Sequence, residues 1–183
     1  MSAFSHLRVS SEYSISQGLL TINQIVDNAL KKSIPSVALT DKSNMFGLVK
    51  FFDKCELAGI KPISGCSINV IFDGDDDSHE LLCLAKTNNG HKNLMKIISS
   101  AHNNYSYSSP IIQFKDLTEL NNDIVVISGG KNSHIFEYLR RNNISDAENK
   151  IDQFTKYFKD DFVLEIQKTN REDELEFIKK ILP

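Results

Sequence analysis

The chain has 183 residues, 40% of them apolar and 25% charged, with eight Gly, four Pro and a formal net charge of −3. This balance excludes a disordered, collagen-like or disulfide-stapled chain, and a domain of this length buries roughly 70% of the surface its unfolded chain exposes, enough for one core. The mild acidity also removes the simplest case for a nucleic-acid binder, because phosphate neutralisation calls for clustered Lys and Arg.

Apolar periodicity alternates between short strand-like runs and helical stripes. A first strand is expected over His6–Val9, followed by a polar loop from Ser10 to Gly18. Thr21 then caps a helix whose stripe Ile22, Ile25, Val26, Ala29 and Leu30 is spaced i, i+3, i+4, i+7, i+8. Pro35 leads into a second strand that ends at Leu39. A helix from about Asn44 to Ala58 carries Leu48, Phe52 and Cys55 inward, and Gly59 stands where a left-handed residue closes it. Ile60–Ile63 and Ile68–Phe72 read as two extended runs. The carboxylate-dense stretch Asp73–Asp77 lacks the loop spacing and terminal bidentate Glu of a calcium site, so a hairpin turn is expected.

Leu81–Ala85 is the next strand, and Thr87 or Asn88 opens a helix with Leu94, Ile97, Ile98 and Ala101 on one side. Asn103–Pro110 reads as a surface loop. Ile124–Ile127 is a buried strand running into Ser128-Gly129-Gly130-Lys131, a strand-to-helix turn that lacks the upstream Gly of a P-loop at Val125. Two helices follow, the second announced by a Ser145–Glu148 capping box. A strand over Phe162–Ile166 and a helix containing Leu175, Ile178 and Ile181 complete the chain. Such alternation predicts parallel strands joined by right-handed crossovers, an α/β barrel or doubly wound sheet whose chemistry collects at the strand C-terminal ends.

Isolated residues suggest little chemistry. Lys31-Lys32, Arg140-Arg141 and Lys179-Lys180 read as solvated helix ends. Cys55, Cys66 and Cys83 are odd in number and set in apolar surroundings, which predicts reduced core thiols of a cytoplasmic protein. No charged segment followed by an apolar one opens the chain, and no apolar run nears the ~18 residues a membrane span requires. His79, His91, His102 and His134 share no fixed spacing and are expected in surface or satisfied polar roles. Ser10, Ser11 and Ser14 read as loop or capping residues, with no His and carboxylate spacing to make a triad.

Three segments together carry a resemblance: His6-Leu7-Arg8-Val9-Ser10-Ser11-Glu12-Tyr13-Ser14, Ala38-Leu39-Thr40-Asp41-Lys42-Ser43-Asn44, and Gly59-Ile60-Lys61-Pro62-Ile63-Ser64-Gly65-Cys66. In that order, with Gly47-Leu48-Val49-Lys50-Phe51-Phe52 between the second and third, they resemble the N-terminal PHP (polymerase and histidinol phosphatase) domain of the bacterial replicative DNA polymerase III alpha subunit. Leu84-Ala85-Lys86 with Asn93-Leu94, Ile127-Ser128-Gly129-Gly130 and Phe162-Val163-Leu164-Glu165-Ile166 fit as well, so the resemblance spans nearly all of residues 1–183. It implies an α/β fold, a PHP-type distorted (β/α)7 barrel. A complete α/β barrel usually needs about 250 residues, so the barrel is expected to be incomplete, cut inside or just before the family's full domain.

Active members of the family bind divalent metals through His, Asp and Glu at the strand ends and hydrolyse phosphoesters there, the cation lowering the pKa of water and neutralising phosphoryl charge. Several positions that match those motifs carry other side chains here. The alternating histidines of the first motif become His6, Arg8 and Ser10; the Thr-Asp-His motif becomes Thr40, Asp41 and Lys42; and Ser67 stands where the family commonly presents Glu. Neither a guanidinium nor an ammonium offers a metal a lone pair. The resemblance therefore implies a vestigial cleft of His6, Arg8, Ser10, Asp41, Lys42 and Ser67 without a resident metal, in which Arg8 or Lys42 pairs with Asp41 or binds an anion.

The expected function is that of a catalytically silent module of a DNA-directed DNA polymerase. It needs no cofactor of its own, while magnesium serves the parent polymerase. Its expected partners are the remainder of the alpha subunit and the proofreading exonuclease (epsilon) subunit, with DNA reached only through the parent and no membrane. The alternatives are a metal-dependent phosphoesterase or 3′-5′ exonuclease with residual activity, and an independent anion-binding regulatory protein.

Overall fold

A computed structural model describes residues 4–15, 17–75, 77–103, 109–168, 178, 179 and 181. Helix α1 (Ile22–Lys31) starts where its sequence says it should: the Thr21 side chain accepts from the Gln24 amide, and the Gln24 side chain bonds back to the Thr21 backbone. Ile22, Ile25, Val26 and Ala29 are buried, whereas Leu30 points outward. Strand β1 (Ser36–Leu39) and helix α2 (Leu48–Leu57) follow, and α1, α2 and β1 share one apolar cluster. Phe51 rather than Phe52 is the wholly buried ring of α2. Gly59 closes α2 at a φ of +67°.

The two extended runs expected around residues 60 to 72 are one strand, β2 (Lys61–Ile71). Its middle, Ser64-Gly65-Cys66-Ser67, is small because the neighbouring strands press close. A Cβ on Gly65 would lie 2.6 Å from Leu84 Cδ2 and 2.8 Å from both the Cys83 carbonyl oxygen and Thr40 Cγ2. Strand β3 (Ser78–Ala85) returns antiparallel, from Gly65 opposite Leu84 to Ile71 opposite Ser78. The hairpin expected at the acidic turn is present, and it breaks the all-parallel arrangement, since six residues between strands cannot carry a parallel crossover of a dozen or more.

Helix α3 (Asn88–Asn103) buries Leu94, Ile97, Ile98 and Ala101. The loop expected over Asn103–Pro110 lies largely outside the described residues. A short strand β4 (Ile111–Gln113) and helix α4 (Phe114–Glu119) come next, too brief for periodicity to reveal; β4 lies parallel to the far end of β2. Strand β5 (Ile124–Ile127) runs antiparallel to β3. Helices α5 (His134–Arg140) and α6 (Ile144–Phe158) then cover the sheet. The cap of α6 is Asn143, whose side chain accepts from the Asp146 amide, so the expected Ser145–Glu148 box sits inside the first turn instead. Strand β6 spans only Phe162–Val163, parallel to β5. Residues 178, 179 and 181 are helical, while Leu175 lies outside the described residues.

The result is a mixed sheet in the order β1-β2-β3-β5-β6, with β4 beside β2. Residues 6–9 lie along the free side of β1 through the bonds Ala38 N–H to His6 O and Thr40 N–H to Val9 O, both 2.9 Å. They form a single bridge rather than the expected strand, because the Val9 N–H turns to the Thr40 hydroxyl at 2.9 Å. One sheet face carries Cys66, Ile68, Val70, Cys83 and Val126 into the large core under α3, α5 and α6. On the opposite face Ala38, Leu82, Leu84 and Ile127 form a much smaller buried apolar cluster. Among the described residues no helix is long and apolar enough to cross a membrane.

The turn after β5 fixes one end of this second face. Gly129 has a φ of +71°, and a Cβ there would meet the Glu80 carbonyl oxygen at 1.9 Å. Gly129→Ala therefore combines a left-handed penalty of about 1–2 kcal/mol with displacement of β3. Gly59→Ala carries only the first cost, since nothing lies within 4 Å of its Cβ position. Urea denaturation should show Gly129→Ala as the clearly more destabilised of the two; equal losses would contradict the close approach.

Candidate functional site

Strand pairing dictates which side chains share the sparsely filled face. Gly65 opposes Leu84, Ser67 opposes Leu82 and Asn69 opposes Glu80, so Ser67 and Glu80 project on the same side as Leu82 and Leu84. Ile127 joins that side from β5 through its pairing with Leu82. Glu80 is 7% exposed and needs a partner, since a buried carboxylate is costly unless paired.

The partner is Arg8. Its Nη1 donates to Glu80 Oε1 at 2.5 Å, while Nε and Nη2 donate to Glu165 Oε1 and Oε2 at 2.7 and 2.6 Å, a bidentate fork. Burial disfavours the guanidinium charge, but hydrogen bonding and charge from Glu165, then Glu80, outweigh it and raise the Arg8 pKa above its ordinary value. Lys42 Nζ lies 3.9 Å from Glu80 Oε2, so two cations face two carboxylates. Glu165 is held in turn: its N–H donates to the Ser128 hydroxyl at 2.9 Å, and Gln167 Nε2 donates to its Oε1 at 3.1 Å. This side-chain bond replaces the ladder expected to continue β6 to Ile166.

The other sequence-selected residues disperse. Neither Arg8 nor Lys42 pairs with Asp41, contrary to expectation. Asp41 is 1% exposed and accepts from the Ser11 amide and hydroxyl, both at 2.7 Å, and from the Ser14 hydroxyl at 2.6 Å. Those donors satisfy the carboxylate where the chain folds, so it has no need of a cation, and Ser11 and Ser14 take the loop-organising role foreseen for them. Ser67 bridges to Lys42 through the backbone, and its buried hydroxyl lacks a hydrogen-bond partner among the described residues. His6 is exposed, with its ring edge-on to Phe4 at 4.8 Å. His6, Arg8, Ser10 and Lys32 line a cavity of about 410 Å³ between residues 6–10 and α1.

Sequence reasoning missed Glu80 and Glu165 as site residues. A signal existed: each is a lone carboxylate beside apolar residues, Glu80 before Leu81-Leu82 and Glu165 between Leu164 and Ile166. The cysteines are free and buried, with burial pushing Cys55 up to about 11, Cys66 up to about 12 and Cys83 upward as well. They are inert core thiols.

Arg8 occupies the space between Glu80 and Glu165, and among the described residues no group of three or more His, Cys, Asp or Glu side chains converges. The arrangement can hold the two margins of the sheet together.

The PHP domain family model matches residues 6–169, and the chain belongs to that family. More particularly, it is 38% identical over 178 residues to the DNA polymerase III subunit alpha of Escherichia coli (strain K12) and 34% identical over 177 residues to that of Vibrio cholerae. The corresponding subunit of Borreliella burgdorferi is 35% identical over 182 residues. These matches cover 94–96% of this chain but 15–16% of the relatives, so the chain spans about one-sixth of their length.

The Asp41 anchor generates a test. Asp41→Asn presents an amide donor to a pocket of three donors, so a loss of roughly 2–4 kcal/mol is expected in urea denaturation, the range for breaking a buried charge-assisted network. A loss below about 0.5 kcal/mol would show that the Ser11 and Ser14 bonds do not anchor the loop.

Proposed function

We propose that this chain is the N-terminal PHP module of a polymerase III alpha subunit, one in which side-chain cations have taken over the electrostatic task of the metals. The observation that carries the reading is Arg8, seated between Glu80 and Glu165 where the family motif would place a second histidine of the strand. A fixed guanidinium opposes a divalent cation at the same spot, with a repulsion of about 8 kcal/mol at 4 Å and an effective dielectric of 20, twice the value for two unit charges. His6, Ser10, Asp41 and Ser67 are then remnants of a cleft. Its anions are internal carboxylates, with Arg8 and Lys42 as the counter-charges.

On this reading the sheet is part of a PHP-type barrel, and residues 1–183 act as one structural domain. The module steadies a DNA-directed DNA polymerase working in the cytoplasm with magnesium at a separate site, and it touches DNA only through that larger protein. It also docks the proofreading exonuclease subunit. Support for a protein-contact role comes from Phe46, Val49 and Leu57, three large apolar side chains on and beside α2 that are 72%, 77% and 84% exposed.

Elemental analysis combined with manganese- and zinc-supplemented hydrolysis of a chromogenic phosphoester tests the proposal. The expected result is far less than one transition metal per chain and no hydrolysis above the blank. Stoichiometric metal, with hydrolysis lost in His6→Ala or Asp41→Ala, would overturn it and restore a phosphoesterase or 3′-5′ exonuclease.

A further inference from the structure

A second cluster of titratable groups lies on the opposite face of β3 from Glu80. His79 opposes Val70, a residue of the large core, so its ring points toward α5. There it stacks on His134, the first residue of α5, with ring centroids 3.8 Å apart and planes 16° from parallel. His134 stacks in turn on Tyr138 at 5.0 Å and 10°, and Phe72 closes against it at 5.0 Å. His134 is 6% exposed, and its Nδ1 has no hydrogen-bond partner among the described residues. Its Nε2 lies 3.3 Å from Asp75 Oδ2 on the hairpin, in a geometry that makes no hydrogen bond. We propose that His79 and His134 form an acid-released latch that holds the β2–β3 hairpin on helix α5.

The groups facing the stack determine its sign. The hairpin contributes Asp75 and Asp77, α5 and its C-cap contribute Glu137, Tyr138 and Arg141, and α6 contributes Asp146 and Lys150, whose ammonium sits 3.9 Å from the centre of the Phe72 ring. Glu137 Oε2 lies 4.0 Å from His79 Nδ1, and it favours a charged His79 together with Asp75 and Asp77. Burial nevertheless dominates and lowers the His79 pKa. Burial first, then His79 and Lys150, push His134 down to about 3. The stacked pair is therefore neutral near pH 7, and the released rings, restored to ordinary histidine behaviour, take up protons the stacked ones refuse. Because both folded pKa values lie below the released value of 6.5, the latch is closed above pH 6.5 and loses strength progressively as pH falls below it. Each ring that is neutral when stacked and charged when released adds up to about tenfold per pH unit to the opening equilibrium.

Amide hydrogen exchange, corrected for the intrinsic pH dependence of the chemistry, reads this opening directly. Between pH 7.0 and 5.5, amides of residues 72–75, 77–79 and 134–140 should lose protection at least about tenfold more than those of Val37–Leu39. The excess should shrink in His134→Phe, which keeps a ring in the stack, or in His79→Phe if that variant folds better. Imidazole NMR on the unaltered protein decides independently of any variant, with the expected result that the His134 ring does not titrate between pH 7.0 and 5.5. A His134 titration near pH 6.5, or hairpin protection that follows Val37–Leu39 at every pH, would overturn the latch.

Discussion

The contact between Arg8 and Glu165 joins residues 157 positions apart in sequence and stands at opposite margins of the sheet. Residues 6–9 lie outside β1, and Glu165 follows β6, so one guanidinium ties the first margin to the last while reaching Glu80 on the central strand β3. An open sheet leaves unpaired backbone at its margins. Here the closure is made by side chains.

The sparsely filled face explains why such a tie is needed. The large core lies on the other side of the sheet, and the buried apolar cluster on this one is the small group Ala38, Leu82, Leu84 and Ile127. At the end marked by Ser67 and Glu80 the filling is polar. Replacing a buried ion cluster by apolar residues is often neutral or stabilising, whereas removing one partner costs about 3–5 kcal/mol. The cluster thus contributes less to net stability than to specificity: once Glu80 and Glu165 are buried, only an arrangement that delivers Arg8 to both is tolerated. Supporting contacts serve that delivery. Asp41 gathers Ser11 and Ser14, fixing the chain just after Arg8, and Gly129 lets the turn after β5 approach β3 so that Ser128 can hold the Glu165 backbone.

What could be read from sequence follows the range of the interaction. The Thr21 cap, the Gly59 stop and the buried stripes of α1 and α3 depend on neighbours within one or two turns, and they stand where periodicity put them. The continuity of β2 through Ser64-Gly65-Cys66-Ser67 was invisible because smallness there answers Leu84, Cys83 and Thr40, all distant in sequence. The same limit hid the site. Arg8 and Lys42 are conspicuous as cations in a family pattern of metal ligands, but the carboxylates they face sit beside apolar residues whose pattern signals packing rather than a site. Serine hydroxyls give no charge signal, so the sequence points Asp41 toward a cation, although three donors from Ser11 and Ser14 satisfy it.

A double-mutant cycle between position 8 and position 165 tests the central claim most directly. Arg8→Met, Glu165→Gln and the combined variant, compared by urea denaturation, isolate the coupling between the two margins. Side-chain closure of the sheet predicts a coupling of about 2 kcal/mol or more, with the double variant losing much less than the sum of the single losses. Additive losses, with coupling below about 0.5 kcal/mol, would contradict it and leave Arg8 as an ordinary surface cation.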